Sequence, residues 1–317
     1  MLKKNILIAG GTGLVGANLS LLLHDQGINF LSTYHTKQPS FLAEKYKAFD
    51  FTDYDQCLCA TKDMDTVIIC AGQSYGIKIT KEQPSKAILP NLKIVAGLFE
   101  AARVNRVEKT LFISSSTVYH SDTTPIREEE LDLNKATPQT YRGIGWVNRY
   151  LEQLAFFYKA HYGMDIRILR PTSIFGPYDK FDDRSNVIPA LIKRAVAKEK
   201  PFLVWGTGHD IRDFIFAEDF SRIVLQVLSL KNVEEPINVG SGRPTSILEL
   251  VELILNLCEH EIKPSCDASM PSAIPYRMLH LGRMNSLLGD VHVTSLSQAL
   301  SKTIAWYKTG LKSVNPT

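Results

Sequence analysis

No apolar stretch in this sequence approaches the roughly 20 residues that a membrane-spanning helix needs. No low-complexity segment, internal repeat or obvious flexible linker interrupts it. The opening MLKKNILIAGG has the charged-then-apolar order of a signal peptide, but its apolar run is too short and ends in glycines, so it reads as a first strand. Cysteine is scarce: Cys57, Cys59, Cys70, Cys258 and Cys266 are five in number and irregular in spacing. That pattern argues against a disulfide framework or a metal site and for reduced thiols in a cytoplasmic protein. An excess of one charge is lacking too. The net charge of +3 arises from 36 basic and 33 acidic residues interleaved along the chain. This speaks against nucleic-acid binding and leaves room for a small molecule bearing phosphate.

The 317 residues suit two domains. Residues 5–9, 29–34, 46–49, 66–70, 110–114 and 165–170 read as strands, almost continuously apolar. Helical spacing runs through residues 14–24, 84–103 and 139–161, the second opening on a proline. Strands that alternate with helices and are apolar on both faces predict an α/β, doubly wound parallel sheet. After Pro171 the rhythm loosens, with helices over residues 186–197, 247–257 and 296–308 and a strand over residues 202–205. The expected division is a dinucleotide-binding domain over residues 1–172 and a smaller substrate-binding region over 173–317, with segments near 210–240 returning to the first.

Gly10, Gly13 and Gly16 follow the first strand and open the first helix. In that context the first glycine permits the turn, the second lets backbone approach a pyrophosphate, and the third lets helix pack on sheet. The second strand ends in Thr33-Tyr34-His35-Thr36-Lys37, without the carboxylate that would hold the ribose hydroxyls of NAD. His35 and Lys37 either face a 2′-phosphate, which favours NADP over NAD, or are solvated loop residues. Asp50, closing the third strand, either bonds an adenine amino group or caps the helix starting near Tyr54.

Taken together, GGTGLVG, FDFTD, LFISSSTVY, ILRPTSIFGP, VWGTGHDIRDFIFAEDF and INVGSG resemble the extended short-chain dehydrogenase/reductases of the nucleotide-sugar epimerase/dehydratase group. Gly76-Ile77, Asn91-Leu92 and PYDKFDDRSNVIPAL are similar to the substrate loops of the GDP-L-fucose synthase branch. The resemblance implies a Rossmann-type fold, NADP or NAD as cofactor and a sugar on a nucleoside diphosphate as substrate. It places Gly10, Thr12, Gly13, Leu14, Val15, Gly16, Asp50, Phe51, Ala71 and Gly72 on the cofactor. It places Ser173, Asn186, Val187, Arg212 and Arg277 on the substrate. Arg212 matches the arginine that meets the diphosphate, and its alternative is an ion pair with Asp213 or Asp219. The family's paired long helices imply a homodimer, with Leu98, Phe99, Tyr150, Leu154 and Phe157 as candidate contacts.

The family's catalytic set is a Ser or Thr, a Tyr and, four residues later, a Lys. Ser115 matches the first, with Thr117 on the same loop. The pair does not recur. Aligned from Tyr162-Gly163 and Arg170-Pro171, its positions fall on Ile144 and Asn148. Aligning Tyr141 instead puts Gly145 at the lysine position. Isoleucine handles no proton, and asparagine still bonds a ribose but brings no charge. A lone phenol titrates near 10 and is a poor base at neutral pH.

Three readings stay open. Substitute groups act: Tyr141 one turn earlier, the His120 imidazole, or Asp182, roughly where the GDP-L-fucose synthase branch carries a histidine acid. Alternatively the protein binds nucleotide and sugar nucleotide without chemistry. In the third, a simple epimerase needs less from the phenol.

Overall fold

The computed structural model describes residues 5–36, 38–270 and 274–314. Its centre is a seven-stranded sheet. Six strands come from the first half: β1 (Ile6–Ala9), β2 (Phe30–Tyr34), β3 (Tyr46–Ala48), β4 (Thr66–Ile69), β5 (Lys109–Ile113) and β6 (Asp165–Pro171). The strand Ile237–Val239 is the seventh, paired with β6 at the edge opposite β3, and all pairings are parallel. The spatial order runs Ile237–Val239, β6, β5, β4, β1, β2, β3, so the chain reverses direction across the sheet beside β1. In such sheets that reversal opens a crevice at the carboxyl ends of the strands, where ligands bind.

The helices are α1 (Leu14–Asp25), α2 (Tyr54–Thr61), α3 (Ile77–Glu82), α4 (Ile88–Val104), α5 (Arg142–Tyr162), α6 (Val187–Val196), α7 (Ala217–Ser229), α8 (Ile247–Leu257), α9 (Gly282–Leu288) and α10 (Leu296–Val314). Alternation along β1 sorts its side chains between two cores. Ile6 and Ile8 face a cluster with Leu19 and Leu23 of α1 and Phe220, Ile223 and Val227 of α7. Leu7 and Ala9 face the other, with Leu98 and Phe99 of α4 and Val147 and Leu151 of α5. A third cluster joins α6, α8 and α10 around Phe175, Phe214 and Phe216. The C-terminal half therefore contributes twice: it builds its own core and lends α7 and Ile237–Val239 to the sheet domain.

Several local expectations are corrected. Pro84 does not open the long helix, which begins at Ile88 after the short α3 and a turn. Asp53, not Asp50, caps α2, accepting from the Asp55 amide at 2.9 Å. The Asp50 carboxylate instead folds back on Thr52, accepting from its amide and hydroxyl. Residues 139–141 form a 3-10 turn ahead of α5. Leu98 and Phe99 are fully buried inside the protomer, so neither is available to a partner.

One buried network ties the sheet to what lies above it. Glu152 of α5 and Arg170 of β6 are both sequestered and share two hydrogen bonds from Nε and one from Nη2, the last 2.7 Å long. Glu152 also accepts from Ser114 at 2.6 Å. Arg170 Nη1 donates to the Tyr119 hydroxyl, which donates to Asn238 of the edge strand at 2.7 Å. A buried charge stripped of its partner costs about 3–5 kcal/mol. Arg170→Met is therefore expected to lower folding stability by about that amount in a urea titration. The double variant Glu152→Leu with Arg170→Met is expected to recover at least half of the loss, because neither charge is then left alone.

Candidate active site

The crevice is assembled from loops at the carboxyl ends of β1, β4, β5 and β6. After β1, Gly10 takes φ +89°, and a Cβ there would lie 2.6 Å from the Ala71 backbone. A Cβ on Gly16 would lie 2.2 Å from the Gly10 carbonyl. Both glycines are forced by the protein's own packing. Gly13 is different: an added Cβ would meet nothing nearer than the Gly10 carbonyl at 3.6 Å, and its φ is an ordinary −78°. Its bare face is open, at the N-terminus of a 12-residue helix that has neither a side-chain cap nor an acidic first turn. Helix N-terminal amides left uncapped favour an anion. This is the cradle a dinucleotide pyrophosphate requires, and the residues fit that cofactor. Thr12 is exposed on the same loop, Leu14 and Val15 are half-buried, and Ala71 and Gly72 follow β4 alongside. Past β2 and β3, His35 and Asp50 lie 3.7 Å apart, both substantially exposed, and Phe51 is buried and stacked on Phe49. Lys37 lies outside the described residues.

After β5, Ser115 caps a 3-10 turn, its Oγ accepting from the Thr117 amide at 3.2 Å. Asn148 of α5 reaches the same turn, donating from Nδ2 to Thr117 Oγ1 at 3.3 Å. The structure thus brings together Ser115, Thr117 and Asn148. Ile144, one turn earlier on α5, is half-buried against the second core. Gly145 faces elsewhere: a Cβ on it would stand 2.6 Å from the Thr117 carbonyl and 2.8 Å from Thr137 Cγ2. No lysine fits there, so an alignment built on Tyr141 has no place for its partner. Nor does Arg149 substitute for the missing cation. Its guanidinium is buried, donating to the carbonyls of Val118 and Lys135.

Of the five substrate-side candidates, Arg212 and Arg277 meet on two short strands. Arg212, in Ile211–Arg212, is the register partner of Arg277, in Tyr276–Arg277. Arg212 pairs with Asp210 at 3.3 Å rather than with Asp213 or Asp219. Asp213 accepts instead from Ser241 and Gly242, and Asp219 pairs with Arg222. Arg277 Nη1 spans to the Ser115 loop, donating to the carbonyls of Ser116 at 3.3 Å and His120 at 3.1 Å. Burial, and then the like charge of Arg212, bring the Arg277 guanidinium down to about 10. Tyr141 sits close enough for both arginines to favour its phenolate, yet burial outweighs them and pushes the phenol above its ordinary value. His120 is mostly buried, 3.6 Å from Asp122, with Nδ1 unpartnered. Ser173 is exposed on a short strand beside Phe214, and Asn186 precedes α6, which Val187 opens.

Asp182 is not placed to act as an acid. Three hydrogen bonds from the Arg184 guanidinium and one from its amide hold the carboxylate, which drops to about 2 chiefly through the guanidinium bonding. A neighbouring pair passed over in the sequence is more deeply set. Asp179 is half-buried with its Oδ2 sequestered and unpartnered, and desolvation pushes its carboxyl up to about 6. Lys180 donates to the Ser74 carbonyl at 3.0 Å. Gly76 makes this join possible: its amide donates to Arg184, and a Cβ would stand 2.1 Å from the Ser185 carbonyl. Asn91 braces the same loop by bonding both backbone groups of Gln73. Among the described residues no cluster of three or more His, Cys, Asp or Glu could hold a metal ion.

Over residues 6–240 the sequence matches the NAD dependent epimerase/dehydratase family. It is similar to the GDP-L-fucose synthase of Escherichia coli (strain K12), 30% identical over 322 residues with 97% of each chain covered. It is 27% identical to a dTDP-4-dehydro-6-deoxy-D-allose reductase from Streptomyces sp, with 96% of each chain covered. A solved GDP-L-fucose synthetase from Naegleria fowleri bound to NADP has a TM-score of 0.85 at 21% identity, covering 99% of this chain and 95% of that one. That likeness shows the fold.

The close approach at Gly145 gives a direct check on this geometry. Gly145→Ala is expected to destabilise by about 1–3 kcal/mol, because overpacking against a backbone carbonyl exceeds the gain in helix propensity. Differential scanning calorimetry reads this as a fall in Tm of several degrees.

Proposed function

The chain belongs to the NAD dependent epimerase/dehydratase family, and on that premise we propose that it is a nicotinamide-dependent epimerase or reductase of nucleotide sugars with an altered proton-handling centre. One observation carries the reading. Arg212 and Arg277 stand in register, and Arg277 bonds directly to the serine loop, so the cations that suit a diphosphate are tied to the hydroxyl that suits the sugar. A guanidinium grips two phosphate oxygens at once.

In this reading Gly10, Thr12, Gly13, Leu14, Val15 and Gly16 receive the pyrophosphate, and Asp50, Phe51 and His35 line the adenosine end. Ala71 and Gly72 border the same groove. When bound, the nicotinamide supplies or accepts a hydride. Ser115 and Thr117 offer hydroxyls to the reacting sugar oxygen. Asn148 bonds a ribose hydroxyl and Thr117, contributing position without charge. Ser173, Asn186 and Val187 flank the nucleoside diphosphate. His120, beside Arg277, is the group with a free ring nitrogen near the loop.

The competing reading is a catalytically silent binder of the same ligands. It draws on the state of the substitutes: Ile144 is apolar, the Tyr141 phenol is raised and Asp182 is locked as a carboxylate. No helix among the described residues is long and apolar enough to cross a membrane. We place the protein in the cytoplasm, where its ligands are made.

We further propose a homodimer through α4 and α5. Trp146, Tyr150 and Phe157 lie along one face of α5 and are 45%, 56% and 45% exposed, with Leu89 of α4 at 60%. Aromatic side chains so arranged suit a helix–helix interface.

Three outcomes are expected. Purified protein given NADPH or NADH and GDP-, dTDP- or UDP-linked 4-keto sugars oxidises the reduced cofactor, followed at 340 nm with product analysis. Restoring the pair by Ile144→Tyr with Asn148→Lys raises that rate by about 10²-fold or more. Tight binding of both ligands without turnover in the parent favours the silent reading. Tyr150→Glu with Phe157→Glu converts a dimer to a folded monomer by light scattering; an unchanged mass removes this interface.

A further inference from the structure

A strap of residues 177–186 joins the short strand Ser173–Phe175 to α6. On its way it touches the segment that follows each of three neighbouring strands, β2, β1 and β4. Past β2, the Phe41 ring lies 4.8 Å from that of Tyr178. Past β1, Asn18 of α1 donates to the Pro177 carbonyl at 3.0 Å. Past β4, Lys180 Nζ donates to the Ser74 carbonyl at 3.0 Å, and the Gly76 amide donates to the Arg184 carbonyl at 3.1 Å. The glycine loop and the Ala71–Gly72 border lie between these anchor points in the chain, at the ends of β1 and β4. Rings also run from the strap to that loop. Phe41 meets Tyr46 edge-on at 5.7 Å, and the Tyr46 hydroxyl donates to the Gly11 carbonyl at 3.0 Å. On the C-terminal side the strap rests on α10, with Tyr178 at 5.0 Å from Trp306 and Phe181 stacked on Tyr307 at 4.2 Å.

The strap is braced on itself. Arg184 holds Asp182, and Ser185 Oγ donates to the Lys180 carbonyl at 2.6 Å. Its joint with the segment after β4 is of another kind: one ammonium and one amide, on residues that are exposed at Ser74 and Arg184. Sparse, solvent-facing hydrogen bonds are the contacts that open first in a folded protein. The fit at this joint is close, since a Cβ on Gly76 would stand 2.1 Å from the Ser185 carbonyl. Tyr178 stands at φ +69°, a conformation that bulky residues rarely adopt, and rings on both sides hold it there.

We propose that residues 177–186 form a gate over the dinucleotide groove, latched to the segment after β4 by Lys180 and Gly76, and that this latch sets how fast the nicotinamide cofactor enters and leaves. The proposal rests on the reading of that groove as the dinucleotide site. The latch is made of the protein's own atoms, so loosening it speeds entry and exit together and leaves Kd nearly unchanged. A wall that only touched the ligand would govern exit alone.

The test is stopped-flow nicotinamide fluorescence on the full chain with NADPH and NADH, comparing the parent, Lys180→Met and Gly76→Ala. Methionine keeps the length of the stem and removes the donor, so Tm should hold within about 2 °C. Entry and release of the dinucleotide that binds the parent should each quicken about fivefold or more in both variants, with Kd within about threefold. If Gly76→Ala does not fold, Lys180→Met decides. Rates equal to the parent's overturn the gate and leave the groove reading standing. Faster release with unchanged entry also overturns it, and makes the strap a ligand-binding wall. The same variants are titrated with GDP, UDP and dTDP. Faster release of a nucleoside diphosphate without faster release of the dinucleotide would move the strap to the substrate side and overturn the assignment. A parent that binds neither NADPH nor NADH removes the groove reading, and the gate with it.

Discussion

The Glu152–Arg170 ion pair is the contact on which the upper half of the molecule depends. It joins α5 to β6 at a depth where neither charge reaches water, and further partners complete it: Ser114 on one carboxylate oxygen, Tyr119 and the Glu128 carbonyl on the guanidinium. Ser114 immediately precedes Ser115, and Tyr119 closes the turn that holds Thr117. The pair therefore fixes both ends of the catalytic loop against the helix that faces it. Through Tyr119 and Asn238 it also fixes the edge strand, whose amide is taken by Glu128. Such networks are stable only when complete, so position in this site is set by a scaffold that does no chemistry.

The same scaffold seats Ile144 and Asn148. Ile144 packs on the sheet-domain core, and Asn148 holds Thr117, so each has a local structural use independent of proton transfer. Gly145, between them, is fixed by the Thr117 carbonyl. The helix cannot slide or rotate here without driving a side chain into backbone. Ile144 and Asn148 are both half-buried, and both are held by the protomer's own packing.

How much of this was legible depended on whether a residue's role is local. The parallel sheet could be read because strands buried on both faces leave unbroken apolar runs, and the phosphate loop because Gly10 and Gly16 are demanded by turn and packing within seven residues. Helix starts were less legible. Pro84 suits a first helical position, but the chain uses it in a turn, and the capping role passes to Asp53 through a bond that spacing alone does not distinguish from one by Asp50. Leu98 and Phe99 lie on a helix with a wide apolar face, and sequence cannot say which part of that face meets the sheet. Asp182 looked free because its partner, Arg184, is two residues away and pairs with it only in a folded loop. Arg277 was the faintest of the site candidates, since its link to Ser116 crosses 161 residues.

The two arginines also bear on what the protein retains. Like charges on neighbouring strands repel, and burial makes the repulsion harder to screen. Asp210 offsets one of them. The rest of the cost is borne by the folded chain in the absence of ligand, and a bound anion removes it. Arg277 is tied by backbone bonds to the serine loop and Arg212 stands in register beside it, an arrangement that a polyanion would complement. That holds for an active enzyme and for a silent binder alike. The difference between those two lies in the proton alone, at Ile144 and Asn148 and whatever group serves in their stead.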